Sequence, residues 1–164
     1  MGTITRRTLA SLLLSAALVT ASGVPAQSAT QPAPVTPVLT NIRTGVHPSF
    51  DRIVLDFSGP RPQVYSSRFV DELVRDGSGD VEWLTGAAFV EVVLTPAQAH
   101  DDAGQLTYPQ PWKFRTRNLS NAMAVAITGD FEATLTIGVG MRKQTWVKAF
   151  TLTGPTRVVI DVGR

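Results

Sequence analysis

Two histidines, His47 and His100, and no cysteine limit the metal and nucleophile chemistry open to this chain of 164 residues. A catalytic zinc ion takes about three protein ligands from His, Glu, Asp or Cys. His100-Asp101-Asp102 supplies donors in a row, but neighbouring side chains diverge and His47 would have to arrive from far away in the sequence. That run reads first as a solvated loop, or as one whose Asp and His side chains bond its own backbone amides. No serine sits in a Gly-x-Ser-x-Gly elbow, and Ser78 lies in Asp76-Gly77-Ser78-Gly79-Asp80, a turn by composition. Asp76, Ser78 and Asp80 stand at alternate positions, as the first ligands of a calcium loop do. Val81 then occupies the place of the required glycine and Ala87 that of the distal glutamate. The residues assemble no catalytic set, no metal site and no cofactor motif. A small hydrolase is therefore the least supported functional reading.

Binding chemistry has better candidates in Tyr108, Trp112, Lys113, Arg115, Arg117, Arg142 and Lys143, with Trp146 nearby in sequence. Aromatic rings stack on sugar faces, while Lys and Arg meet carboxylates or phosphates. Lys113, Arg115 and Arg117 alternate, so a strand would place them on one face and Trp112 and Phe114 on the other. A plainer reading stays open beside this one. Tryptophans in strands commonly pack in cores, and alternate basic residues commonly form the wet side of a strand.

Charge and the amino terminus set the compartment. Arg6 and Arg7 precede the apolar run Leu9 to Val19, and Val24-Pro25-Ala26 ends in a small-residue cleavage site before Gln27, the pattern of a secretory signal peptide over residues 1–26. Thr20, Ser22 and Gly23 break the run well short of the roughly 20 apolar residues that a membrane span needs. The twin arginines also match a signal for export after folding. Without a cysteine the chain has no lipoprotein anchor site and no disulfide. The whole chain carries 15 basic and 13 acidic residues, but removing Arg6 and Arg7 leaves 13 of each, so nucleic acid is not an expected partner. The two halves differ: residues 50–104 hold 10 acidic and 4 basic groups, residues 105–164 hold 3 and 8. Opposite halves of one small domain attract each other.

Behind the signal, residues 27–37 form a linker of Pro, Thr and Ala, and residues 38–164 read as short strands divided by turn signals, an all-β sandwich or barrel. Strands are expected at 38–44, 50–57, 88–94, 112–117, 122–128, 131–137, 145–152 and 156–162. Residues 63–74 are ambiguous between helix and strand, with strand favoured. Asp76 to Asp80 should turn that segment into a hairpin with Val81 to Leu84. Gly129-Asp130 reads as the next turn, after which Phe131, Ala133, Leu135 and Ile137 alternate as a buried face against exposed Glu132, Thr134 and Thr136. Gly138-Val139-Gly140 permits a bend. No long helix is expected.

The strand Arg52-Ile53-Val54-Leu55-Asp56-Phe57 is echoed near the end by Arg157-Val158-Val159-Ile160-Asp161-Val162. Antiparallel pairing with Val54 opposite Val159 would set Arg52 against Asp161 and Asp56 against Arg157, whereas parallel pairing would oppose like charges. The alternative is an ordinary strand pattern met twice.

Taken together, Phe50 to Phe57, Asp76-Gly77-Ser78-Gly79, Val90 to Asp102 with Thr95-Pro96-Ala97 and His100-Asp101, Gly129-Asp130-Phe131-Glu132, Ile137-Gly138-Val139-Gly140 and Arg157 to Val162 make the chain resemble the AMIN-like domain of exported actinobacterial proteins. That domain is a relative of the AMIN domain that accompanies cell-wall amidases. The resemblance implies an antiparallel β-sandwich of two sheets and a role in targeting to peptidoglycan. It supplies no catalytic residues. The expectation is a secreted, wall-associated module with no cofactor that binds a wall polymer, or else an envelope protein by strand addition at a sheet edge. The chain departs from many such proteins in lacking a lipoprotein cysteine, and no attached enzyme is evident.

Overall fold

The computed structural model describes residues 35–164; the expected signal peptide and residues 27–34 of the linker lie outside the described residues. Nine strands form two antiparallel sheets. β1 (Val38–Val46), β2 (Phe50–Ser58), β9 (Arg157–Gly163) and β8 (Val147–Leu152) make the four-stranded sheet in the order β1-β2-β9-β8. β3 (Gln63–Val70), β4 (Ala88–Thr95), β7 (Thr134–Met141), β6 (Ala122–Phe131) and β5 (Lys113–Arg115) make the five-stranded sheet in the order β3-β4-β7-β6-β5. No helix occurs among the described residues. Pro37, placed at the end of the linker by composition, is buried, and its carbonyl accepts the Gln98 amide at 3.0 Å.

Period-two alternation decides which side chains meet between the sheets. Ile53, Leu55 and Phe57 of β2 and Val158, Ile160 and Val162 of β9 point inward against Val90, Val92 and Leu94 of β4 and Ile137 and Val139 of β7. The expected pairing of β2 with β9 is present, with Arg52 opposite Asp161, Val54 opposite Val159 and Asp56 opposite Arg157. Arg52 forks onto Asp161 through bonds of 2.7 and 2.8 Å. Asp56 instead takes its fork from Arg43 of β1, at 2.6 and 2.7 Å.

Three local expectations are corrected. Gly129-Asp130 is not a turn: β6 runs through both, and the chain reverses at Glu132 and Ala133, which adopt φ of 47° and 56°. A two-residue hairpin whose central residues are both left-handed matches the twist of its strands. Phe131 accordingly sits at the tip, 71 % exposed, while Thr136 is buried. Gly138 and Gly140 make no bend and lie within β7. The hairpin expected from Val81 to Leu84 reduces to one bridge, Val74 to Val81, beside the Glu82 amide bonded to the Leu73 carbonyl at 2.7 Å.

Candidate functional site

The segment that fails to become a strand, residues 71–87, crosses the outer face of the five-stranded sheet. Small residues beneath it set where it lies. A Cβ on Gly138 would stand 2.7 Å from Leu73 Cδ1, one on Gly140 2.1 Å from the Thr85 carbonyl oxygen, and one on Gly129 1.7 Å from Asp76 Oδ2. With Ala124 and Ala126 on β6 alongside, the sheet offers a shallow trough, and burying Leu73 in it fastens the strap. This covering explains why β6 and β7 are buried on both faces.

Within the strap Glu82 turns inward. Arg75 Nε donates to its carboxylate at 2.6 Å and Lys113 Nζ at 2.5 Å. Burial alone would push the Glu82 carboxyl up, but the bonds from Lys113 and Arg75 prevail and hold it below its ordinary value. Two cations on one carboxylate leave a surplus positive charge.

Glu82 is buried while the next side chain faces out. The Trp83 indole is 82 % exposed. With Thr85, Lys113, Phe114 and Arg115 it encloses a groove of about 180 Å³. Lys113 Nζ also donates to the Trp83 carbonyl at 3.2 Å, and Arg115 Nε donates to the Thr85 hydroxyl at 3.1 Å. The terminal nitrogens of Arg115 have no bonded partner among the described residues. A second groove of about 180 Å³ also has Trp83 and Leu84 in its wall and is lined by Asp71, Glu72, Val81 and Phe89. An aromatic face beside fixed cations can stack on a ring or an apolar patch while gripping an anionic group.

The other residues singled out by sequence are dispersed. Tyr108 is corrected from a ligand-facing to a core residue: it packs inside the sandwich, and burial, aided by the Asp130 charge, pushes its phenol up to about 12. Trp112 is half-buried just before β5 and forms one wall of a wider cleft of about 420 Å³ with Asp76, Asp130 and Phe131. The polar groups of that cleft are occupied or closed off. Asp76 accepts from the Thr136 hydroxyl at 2.7 Å, and Asp130 Oδ2 accepts from His100 Nδ1 at 2.7 Å and the Ala99 amide at 3.0 Å. Asp130 Oδ1 and the Trp112 indole nitrogen lack protein partners but are buried, out of reach of a ligand in the cleft. Arg117 is exposed in the loop after β5, and Arg142 and Lys143 are exposed after β7, where Arg142 Nε donates to the Ser120 carbonyl at 3.2 Å. Trp146 lies on the outer face of the other sheet, across Gly163, its ring centroid 6.1 Å from that of Phe50.

The His100 loop is held by its own side chains. Asp101 Oδ1 accepts the amides of Ala103 at 2.9 Å and Gln105 at 2.8 Å. Among the described residues no group of three or more side chains is arranged to hold a metal ion.

Trp83 is the residue that sequence reasoning passed over. Its signal was the alternation Val81-Glu82-Trp83-Leu84, in which either face could have been the inner one. The cations that hold Glu82 inward, Arg75 from the same strap and Lys113 from β5, decide the matter.

Comparison with known proteins identifies one relationship. The family model of the AMIN-like domain matches residues 37–164. No curated protein and no solved structure matches the chain. Among the described residues no helix is long and apolar enough to cross a membrane.

Proposed function

Because the chain belongs to the AMIN-like domain family, we propose that it is a non-catalytic module of the cell envelope that binds peptidoglycan or an associated wall polymer. The observation that carries this reading is Trp83, exposed on a strap whose position is set by buried contacts and flanked by Lys113 and Arg115. An indole held open to solvent costs apolar exposure, and aromatic and arginine side chains in a groove are the usual anchors of recognition. The chemistry of the groove is that of holding a ligand: a ring face, and cations oriented by Glu82 and Thr85. Export by the signal at 1–26 and a wall-associated location belong to the same proposal.

A second reading has its own observation. β3 is an edge strand with Tyr65, 77 % exposed, and Phe69 along it, and its one charge, Arg68, is neutralised by Glu91 at 2.7 Å. Such an edge suits strand addition by an envelope protein. It is the weaker reading because β8 lies alongside, with the Thr151 hydroxyl bonded to the Pro62 carbonyl at 3.1 Å.

Co-sedimentation of residues 27–164 with purified wall sacculi, before and after stripping secondary polymers and at low and high salt, tests the proposal. Retention on stripped wall is expected, weakened but not abolished at high salt because the flanking charges are exposed and screened. No retention on either preparation would reject polymer binding and favour the protein partner.

A further inference from the structure

We infer that Trp83 is the shared wall of a receptor for a zwitterionic peptide group, one that carries both a carboxylate and an ammonium; the inference rests on the reading of this groove as a wall-polymer site. The two grooves flanking the indole share Trp83 and Leu84 and differ in charge. One is lined by Lys113 and Arg115, the other by Asp71 and Glu72. Glu82 also borders the second groove, but it is buried and committed to Arg75 and Lys113. Asp71 and Glu72 are exposed and form no ion pair among the described residues, so their charge faces whatever enters.

Opposite charges in two grooves that share Trp83 select by sign. A carboxylate fits the free end of the Arg115 guanidinium, whose planar fork matches two oxygens. An ammonium in the other groove would meet Asp71 and Glu72, with the ring face itself attractive to a cation. A purely anionic polymer gains at Arg115 and is repelled at Asp71 and Glu72, and a neutral glycan gains at neither. Among the components of a peptidoglycan wall, the peptides are the part that presents amines and carboxylates together. The glycan backbone therefore contributes little at Trp83, and peptides with both charges free bind best.

The test uses three probes with residues 27–164: acetyl-Ala-Lys-Ala with free lysine amine and free carboxylate, the same peptide amidated at its carboxyl end, and the same peptide acetylated on lysine. Titration calorimetry should show that capping either charge weakens binding about tenfold. Arg115→Gln should erase the difference between free and amidated peptides. The double variant Asp71→Asn with Glu72→Gln should erase the difference between free and lysine-acetylated ones. Equal affinity of wild-type protein for all three peptides, or no binding of the doubly charged one, overturns the inference, and this arm needs no variant to fold. Sacculi with acetylated amines separate the two levels of argument. Loss of retention on them supports the inference; retention unchanged on them overturns it and leaves wall binding standing. No retention even on untreated sacculi removes both.

Discussion

Lys113 Nζ lies 2.5 Å from Oε1 of Glu82, so the cation at the mouth of the Trp83 groove is anchored on a carboxylate that the strap carries inward. Arg75 holds the other oxygen of the same group. Site and fold thus share one ion cluster. Replacing Glu82 with Gln should leave two cations facing a neutral amide. Removing one member of a fully buried pair costs about 3–5 kcal/mol. Lys113 and Arg75 are each nearly half exposed and can rehydrate, so a loss of about 1–2 kcal/mol is expected here. Urea denaturation of Glu82→Gln should show it, together with loss of wall retention as the strap loosens. Unchanged stability with unchanged retention would mean that the cluster positions nothing.

Acid should destabilise the protein through the carboxylates held below their ordinary value, Asp51, Glu82 and the Arg43-forked Asp56. Asp51 Oδ2 accepts the amides of Asn121 at 2.6 Å and Ala122 at 3.0 Å, and Arg164 Nε approaches Oδ1 at 3.3 Å. Burial pushes Asp51 up, but these bonds prevail and hold it below its ordinary value, as they do for Glu82. A carboxylate with a depressed folded pKa takes up its proton more readily in the unfolded chain. Its stabilisation is complete above the ordinary carboxylate range and is lost as pH falls through that range towards the depressed folded value. Thermal midpoints should therefore hold level from neutral pH down to that range and fall steeply through it. Asp51→Asn should lower the midpoint at neutral pH and flatten the acid limb. Acid limbs that run parallel in the two proteins would remove Asp51 as a cause.

The strap's seat on β7 can be probed by a single methyl. At Gly140 an added Cβ would meet the Thr85 carbonyl oxygen at 2.1 Å and its carbon at 3.0 Å, both backbone atoms that cannot rotate away. At Gly45 it would meet nothing within 4 Å. Gly140→Ala should cost about 1–3 kcal/mol by overpacking, and amide exchange in residues 71–87 should quicken. Gly45→Ala should be neutral or slightly stabilising, since both positions have negative φ and alanine restricts the unfolded chain. Equal effects of the two changes would show that the strap yields freely.

The repeated strand was legible because its evidence is local and redundant. Arg52, Val54 and Asp56 with Arg157, Val159 and Asp161 carry both alternation and charge order, and the antiparallel register follows from them. The partner of Asp56 was not legible, since Arg43 comes from β1 and competes with Arg157 through position alone. Turns were misread where the signal was weaker than the structure's need. Glu132 and Ala133 form a left-handed turn that no Gly or Asn announces, while Gly129, which does look like a turn, exists to admit Asp76. Of the site, Lys113 and Arg115 were found by alternation. Trp83 was not, because Glu82 reads as an outward residue until Arg75 and Lys113 are seen around it. The attraction between an acidic first half and a basic second half is partly realised, in Glu82 with Lys113 and Asp51 with Arg164.

Two tryptophans now compete for the role of anchor, and they separate cleanly. Trp83 stands open between two charged grooves, whereas Trp146 lies across Gly163 on the opposite sheet beside Phe50, where the nearby Arg52 is already held by Asp161. An indole with no fixed neighbour to complete its packing gains most from a ligand; one that covers a glycine is already used in the fold. Trp83→Ala should therefore reduce wall retention about tenfold, the loss of a single anchor worth roughly 1.4 kcal/mol, with little change in the denaturation midpoint. Trp146→Ala should do the reverse, lowering stability by about 1 kcal/mol and sparing retention. If Trp146→Ala abolished binding while Trp83→Ala did not, the outer face of the four-stranded sheet, with Phe50, Phe150 and Lys148, would become the binding surface.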